Sequence, residues 1–260
     1  MVKQGGHQSG EMIFGTRAVL EAISADKELD KVFLQKGLDN DLIKELKQAC
    51  RNHSVPVVLV PVEKLNRFTR KNHQGVVAFL SAVTYASLDN IISTAYERAE
   101  SPLLVMLDRI TDVRNFGAIA RSAECAGAHG IIIPSRGSAQ INSDAVKTSA
   151  GALHHLPVCR EDNLKKTIQY LQESGIQVVA CTEKAKQSVY NTDLSGPVCL
   201  LMGSEEDGIS PAYMDMADGQ TMIPLFGQIG SLNVSVATSI PIRMPAAAAA
   251  ARLNKFLAFF

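Results

Sequence analysis

Three stretches of this 260-residue chain carry side chains whose types and spacing could do chemistry. In the first, Asn115 and Arg121 flank Gly117 in a run lined with Ala, Ser and Cys. A guanidinium among small neighbours needs a phosphate or carboxylate to meet its planar fork of donors, so a ligand contact and a structural ion pair are both open for Arg121. In the second, Met202-Gly203-Ser204-Glu205-Glu206-Asp207-Gly208, three acids stand between two glycines. Ser210 and Pro211 follow as helix-start residues, which gives the acids a role at a positive helix terminus. They could also hold Mg²⁺, but no second acidic cluster or phosphate loop accompanies them. In the third, the apolar, Gly-rich turn 223–230 leads into Ser231-Leu232-Asn233, rich in hydroxyl and amide groups. Backbone in such a turn suits an uncharged purine ring and a sulfonium better than a phosphate. Neither G-x-G-x-x-G nor G-x-x-x-x-G-K-[ST] is present. His154 and His155 are adjacent, so they do not share a helix face, and no third ligand lies near; they read as ordinary packing or surface residues, and no metal is expected.

The elements that must position these stretches follow from apolar periodicity. Residues 103–107 are a continuous apolar run, 117–127 a helical pattern and 130–133 a second apolar run. Further strands are predicted at 177–181, 198–202 and 221–225, with helices at 163–173 and 211–216. Such alternation predicts an α/β fold with a parallel sheet covered on both faces, whose ligands sit at the carboxyl ends of the strands. All three chemical stretches fall there. Upstream the texture differs. Ile13, Val19, Leu20 and Ile23 fall near one helix face, followed by a strand at 31–34, a helix at 41–52, a strand at 55–60 bounded by Pro56 and Pro61, a polar basic stretch at 64–72 and a strand at 75–80. The chain thus divides into a disordered Gly/Gln/Ser-rich tail at 1–10, a small α/β domain at 11–80, a linker at 81–102 with a helical piece at 88–99, and a large domain at 103–260.

Composition narrows the class. The chain is 46% hydrophobic and 20% charged, ordinary for a globular protein. No apolar run approaches the ~20 residues of a membrane span, and MVKQGGHQSG has no signal-peptide core. The five cysteines are widely spaced without a C-x-x-C pair, which fits reduced thiols in cytoplasm. Net charge is zero, from 26 basic and 26 acidic residues. Locally, however, Lys47, Arg51, Lys64, Arg67, Arg70 and Lys71 face one acid, Glu63, between Leu46 and Leu80. That is a footprint for an anionic partner, or else a solvated charged face.

Taken together and in order, the three stretches resemble the motifs of the SpoU/TrmH family of tRNA and rRNA ribose methyltransferases. The matching residues are Asn115-Phe-Gly-Ala-Ile-Ala-Arg121, then Met202-Gly-Ser-Glu205 through Gly208, then Ile223-Pro-Leu with Ser231-Leu-Asn233-Val-Ser-Val-Ala237. Lys147-Thr-Ser-Ala-Gly-Ala152 and Leu156-Pro-Val158 look like the family's connecting region. More loosely, Ile13-Phe-Gly-Thr-Arg-Ala-Val-Leu20 and Asn72-His-Gln-Gly-Val-Val77 are similar to the substrate-binding domain of the ribosomal-RNA guanosine branch.

The resemblance implies a trefoil-knotted parallel-sheet methyltransferase domain, in a homodimer, behind a small α/β substrate-binding domain. It implies S-adenosylmethionine held by Gly203, Ile223 and Leu232, with Met202 and Leu225 beside them. Asn115, Arg121, Glu205, Ser231 and Asn233 map onto catalytic and substrate positions, and Arg17, Lys64, Arg67, Arg70 and Lys71 onto the RNA-binding side. The implied reaction is methylation of a ribose 2′-OH, of a guanosine in 23S ribosomal RNA. A tRNA ribose is the alternative substrate, and a non-catalytic RNA-binding protein of the same fold the alternative class. Transfer joins an incipient alkoxide to a sulfonium methyl, so charge falls in the transition state and alignment in a dry pocket is the main requirement. The resemblance gives Arg121 the proton-acceptor role; a guanidinium pKa above ~12 suits a phosphate clamp and alkoxide stabiliser better. One stretch departs from the family. Pro241 and Pro245 should stop a helix beginning at Ser231, and the end carries Phe256, Leu257, Phe259 and Phe260, an apolar finish unlike the family's polar one.

Overall fold

A computed structural model describes residues 11–257, with side chains as far as residue 245. The tail at 1–10 and the aromatic finish at Phe256, Leu257, Phe259 and Phe260 lie outside these described residues and side chains. The chain forms two compact units: one runs to Thr84 and takes in Gln140–Asp144, and the other takes Tyr85–Ala139 and the chain from Ala145 onward.

The first unit contains β1 (Met12–Phe14), α1 (Thr16–Ser24), β2 (Leu29–Gln35), α2 (Asp41–Asn52), β3 (Val57–Val60), α3 (Val62–Phe68) and β4 (Val76–Leu80). Its sheet has the order β1-β4-β2-β3, with β4 antiparallel to both neighbours and β2 parallel to β3. The helical reading of the start is corrected here. Met12–Phe14 pairs with β4, and the helix begins only after Gly15, whose φ of 90° makes the corner. Alternation along β4 serves two cores: Val76 and Ala78 pack with Val19, Ile23, Ile43 and Leu46 of α1 and α2, while Val77 and Phe79 pack with Leu65 of α3. The polar stretch at 64–72 therefore holds a helix, α3, whose spacing was masked by its charges.

The second unit holds β5 (Tyr85–Ala86), α4 (Leu88–Glu97), β6 (Leu103–Leu107), α5 (Val113–Cys125), β7 (Gly130–Pro134), most of α6 (Ser143–Thr148), β8 (Val158–Glu161), α7 (Leu164–Glu173), β9 (Gln177–Cys181), β10 (Val198–Met202), α8 (Pro211–Met214), β11 (Gly219–Thr221) and α9 (Val234–Leu257). All seven strands are parallel, in the order β11-β9-β10-β6-β7-β8-β5. Every residue of β6 and β10 is buried, which is why these strands read as unbroken apolar runs. Within the stretch expected to be a linker, β5 pairs with β8, and Leu88, Ile91 and Ile92 of α4 join the sheet's core.

Three boundaries move for physical reasons. The strand predicted at 221–225 ends at Thr221, since Pro224 has no N–H for a ladder. The helix predicted from 117 begins at Val113, where the Asp112 side chain accepts from the Asn115 backbone N–H at 2.8 Å. Most consequentially, α9 runs through both prolines. Pro241 and Ile242 are buried and α9 packs along α5, β6 and β10; burial offsets the roughly 3 kcal/mol an internal proline costs. Thr238 and Ser239 turn their hydroxyls back to carbonyls of the same helix, at Val234 and Val236. No described helix is long and apolar enough to cross a membrane.

Candidate active site

The loop after β10 is shaped by a glycine that nothing else could replace. A Cβ on Gly203 would lie 2.1 Å from the Gly208 carbonyl carbon and 2.2 Å from the Ile209 nitrogen. That close approach lets Ser204 and Gly208 exchange backbone hydrogen bonds of 3.1 and 3.0 Å, closing a tight loop that projects Glu205, Glu206 and Asp207. The loop is tied down from β6. Asp108, 2% exposed, accepts from the Ser210 N–H and hydroxyl at 2.7 and 2.6 Å. Arg109, at a left-handed φ of 60°, donates to Asp207 at 2.8 Å and to the Gly208 carbonyl at 3.2 Å. Its neighbours Asp108 and Asp207 hold the Arg109 guanidinium further above its already high pKa.

This tethering places Glu205 against two carboxamides from distant parts of the chain. Glu205 Oε1 accepts from Asn233 Nδ2 at 2.9 Å, from Asn115 Nδ2 at 3.3 Å and from the Val234 N–H at 3.2 Å. Asn233 Nδ2 also donates to Asn115 Oδ1 at 3.0 Å, and Asn233 Oδ1 accepts from the Ser235 N–H and hydroxyl. One carboxylate thus joins the first turn of α5 to the start of α9.

Beneath the cluster a cavity of about 370 Å³ opens at the carboxyl ends of β9, β10 and β11, within the roughly 300–1,000 Å³ of small-molecule sites. All five expected cofactor residues, Met202, Gly203, Ile223, Leu225 and Leu232, line it, as do Glu205 and Ser231. Its walls also carry Glu183, Glu206 and Asp207 against the single ammonium of Lys184. An anionic, phosphate-rich ligand is disfavoured by that balance; a ligand with an apolar ring and a positive centre fits it. A second cavity of about 300 Å³ shares Ser204, Glu205, Glu206, Asp207 and Val234 and adds Arg109, Asp112 and Asn115. Among the described residues no cluster of potential metal ligands occurs.

Arg121 stands apart from this assembly. It lies six positions beyond Asn115 on α5, roughly 240° around the helix and ~9 Å along it. It is exposed and lines neither cavity. No ion pair of Arg121 occurs among the described residues. In the first unit, Lys64 and Arg67 lie on α3 and Arg70 and Lys71 just after it, all exposed. Arg17 on α1, with Lys47 and Arg51 on α2, belongs to helices on the other face of that sheet. Sequence reasoning passed over Asp108 and Arg109, although an acid ending the apolar run of β6 was a usable signal.

A parallel α/β sheet with a ligand cavity at its strand ends, gated by a carboxamide–carboxylate cluster, defines the class of α/β enzymes that bind small cofactors at that edge. A model of the SpoU rRNA methylase family matches residues 102–242, and one for RNA 2′-O ribose methyltransferase substrate binding matches residues 12–86. YacO of Bacillus subtilis, assigned to the TrmH family of tRNA/rRNA methyltransferases, is 33% identical over 233 residues, covering 90% of this chain and 94% of that protein. The chain therefore belongs to the SpoU rRNA methylase family and is an RNA methyltransferase. The AdoMet-bound rRNA methyltransferase from Sinorhizobium meliloti superposes with a TM-score of 0.56 at 26% identity, over 90% of this chain and 85% of that one. The SpoU methyltransferase AviRb from Streptomyces viridochromogenes shares the fold with a TM-score of 0.59 at 24% identity, over 92% and 90% of the two chains.

Proposed function

We propose that this chain transfers a methyl group from S-adenosylmethionine to a ribose 2′-oxygen in RNA, at a guanosine of 23S ribosomal RNA. The observation that carries the reading is the junction of Asn115, Glu205 and Asn233 over the cavity lined by Gly203, Ile223 and Leu232. When bound, the cofactor supplies an electrophilic methyl on a sulfonium. Ile223, Leu225 and Leu232 offer apolar contact to a ring, and the carboxylates at the mouth favour a cation. Asn115 presents its amide to the second cavity, where an acceptor ribose would enter, with Asn233 hydrogen-bonded to it, and Ser231 offers a hydroxyl in the lining of the first cavity.

Arg121 acts in this reading as phosphate clamp and alkoxide stabiliser. Since it lies away from the cluster of its own chain, the reading includes a homodimer in which Arg121 of the partner subunit completes the site. Phe226 and Ile229, 96% and 79% exposed beside the cavity, supply apolar surface for that contact. The knotted path belongs to the same proposal, supported by α9 packing on α5, β6 and β10 after leaving the cavity loop. The presence of a separate front unit supports ribosomal RNA over tRNA in this reading, and a cytoplasmic location accompanies that substrate.

The test is calorimetric titration with S-adenosylmethionine, together with methyl incorporation into ribosomal RNA and tRNA and ribose-methylation mapping with and without the gene. Cofactor binding with a single ribose mark lost from 23S RNA is the expected result. Binding without transfer to either RNA would leave a non-catalytic RNA-binding protein; transfer to tRNA alone would replace the substrate.

A further inference from the structure

The four-stranded sheet of the first unit has two unequal faces. One is roofed by α1 and by the twelve residues of α2. The other is roofed only by the seven-residue α3, through Leu65 and Phe68. On this second face Phe33, Phe68 and Phe79 meet ring to ring, with centroids 4.9, 5.9 and 5.2 Å apart. Phe79 is buried, but Phe14, Phe33 and Phe68 remain half-exposed.

A small satellite core accounts for Leu65 and Phe79. It does not account for the cations set over the half-buried rings. Lys64 Nζ stands 5.5 Å from the Phe33 centroid and Lys71 Nζ 5.8 Å from that of Phe14. Lys71 is not on a loose arm. His73 Nδ1 accepts from the Gly75 N–H at 3.0 Å, so its Nε2 carries the proton and donates to Asn66 of α3 at 2.9 Å. That buried histidine fastens the loop bearing Arg70 and Lys71 to the helix bearing Lys64 and Arg67.

We propose that this face is a stacking platform for unpaired RNA nucleotides, with Phe14 and Phe33 receiving bases and Lys64, Arg67, Arg70 and Lys71 receiving phosphates. An aromatic ring beside an ammonium matches a nucleotide, which offers a π-face and an anion within one unit. The charge is complementary, since Glu63 is the one acid of residues 61–80. Base-paired RNA keeps its bases stacked on each other and presents only backbone and groove edges, so a loop or bulge fits the platform and a duplex does not. The ammonium groups leave the rings for phosphates as bases settle on them. This inference rests on the reading of the chain as an enzyme acting on RNA, and adds which RNA the front unit grips and by which face.

The test uses the full chain and two RNAs of one composition: a hairpin with 2-aminopurine in its loop, and a fully paired duplex. The wild type should prefer the hairpin and alter its loop fluorescence. Phe14→Leu and Phe33→Leu should each weaken hairpin binding on the order of ten-fold, leave duplex binding unchanged and keep the salt slope, since no charge is lost. Lys64→Gln with Lys71→Gln should flatten the slope on both RNAs. Circular dichroism melting guards against unfolding, and Phe14→Leu, on the edge strand β1, stands in if Phe33→Leu does not fold. Equal weakening on both RNAs, no weakening on either, or a change in sedimentation showing a second copy on this face would each overturn the platform. Methyl incorporation is read separately. Transfer intact with leucine variants that bind hairpins normally sinks the platform alone; loop preference without transfer sinks the catalytic reading alone.

Discussion

Ser210 gives both its backbone N–H and its hydroxyl to a single oxygen of Asp108, at 2.7 and 2.6 Å, across 102 residues of chain. Asp108 follows β6 and Ser210 caps the start of α8, so the pair ties the far end of the 203–208 loop to the end of β6. Replacing Asp108 by Asn leaves an amide donor facing donors in a buried place. The expected cost is about 1–3 kcal/mol, that of an unsatisfied buried group, visible as a lower Tm. Because the Glu205 loop is anchored at its far end by this contact, S-adenosylmethionine affinity should fall too. Unchanged melting and affinity would remove Asp108 from the support of the site.

Gly203→Ala tests the loop from the other side. Its Cβ would meet backbone, at Gly208 and Ile209, and backbone cannot swing away as a long side chain can. Cofactor binding should be lost beyond detection by calorimetry. Gly230→Ala is the internal control: it lines the same cavity, yet an added Cβ there meets nothing within 4 Å. Equal behaviour of the two variants would contradict the steric account.

Thiol chemistry should report the same cavity. Burial pushes Cys50 up to about 11 and Cys181 up to about 12, and raises Cys159 and Cys199 further. Cys125 is exposed on α5. At pH 8 a maleimide should label Cys125 first, with Cys181 following slowly because it is reached through the cavity wall, and S-adenosylmethionine should slow that second step. The sign of the linkage is fixed: a thiol with a raised folded-state pKa stabilises the fold fully below its ordinary value of 9.0, and that contribution is lost as pH rises toward about 11 for Cys50. Denaturation midpoints at pH 8 and pH 10 measure it. A midpoint that rises with pH would contradict the assignment.

The strands of the second unit were legible because parallel strands buried on both faces have no polar alternation to confuse. The five cavity residues were legible because three motifs stood in register with a known family. Other features hid for specific reasons. The strand Met12–Phe14 is three residues long and its neighbour α1 supplied a helical period that swallowed it. The helix α3 was hidden by its charges and β5 by an expectation of a linker, whereas the helical piece expected at 88–99 is α4. Pro241 misled most, since a rule about exposed helices does not foresee a proline ring buried beside a cavity. No local signal told which residues of α5 would meet Glu205: Asn115 does and Arg121 does not, a consequence of where α9 crosses.

Arg121 is therefore the sharpest test of the whole assignment. It should be needed for transfer and not for holding the cofactor, because it lines neither cavity. An interaction made only at the reacting oxygen lowers kcat and kcat/KM together, and losing one such donor costs about 10²–10³ in rate. Arg121→Ala should show that loss with calorimetric affinity for S-adenosylmethionine intact. Arg121→Lys should not recover it, since an ammonium lacks the planar fork of donors. Mixing Arg121→Ala with Glu205→Gln adds the oligomer to the test. If each site draws Arg121 from the partner subunit, mixed dimers hold one site with both residues native, and part of the activity returns. If Arg121 serves its own chain, mixing restores nothing. Full activity of Arg121→Ala alone would mean that an exposed surface residue has been taken for a catalytic one.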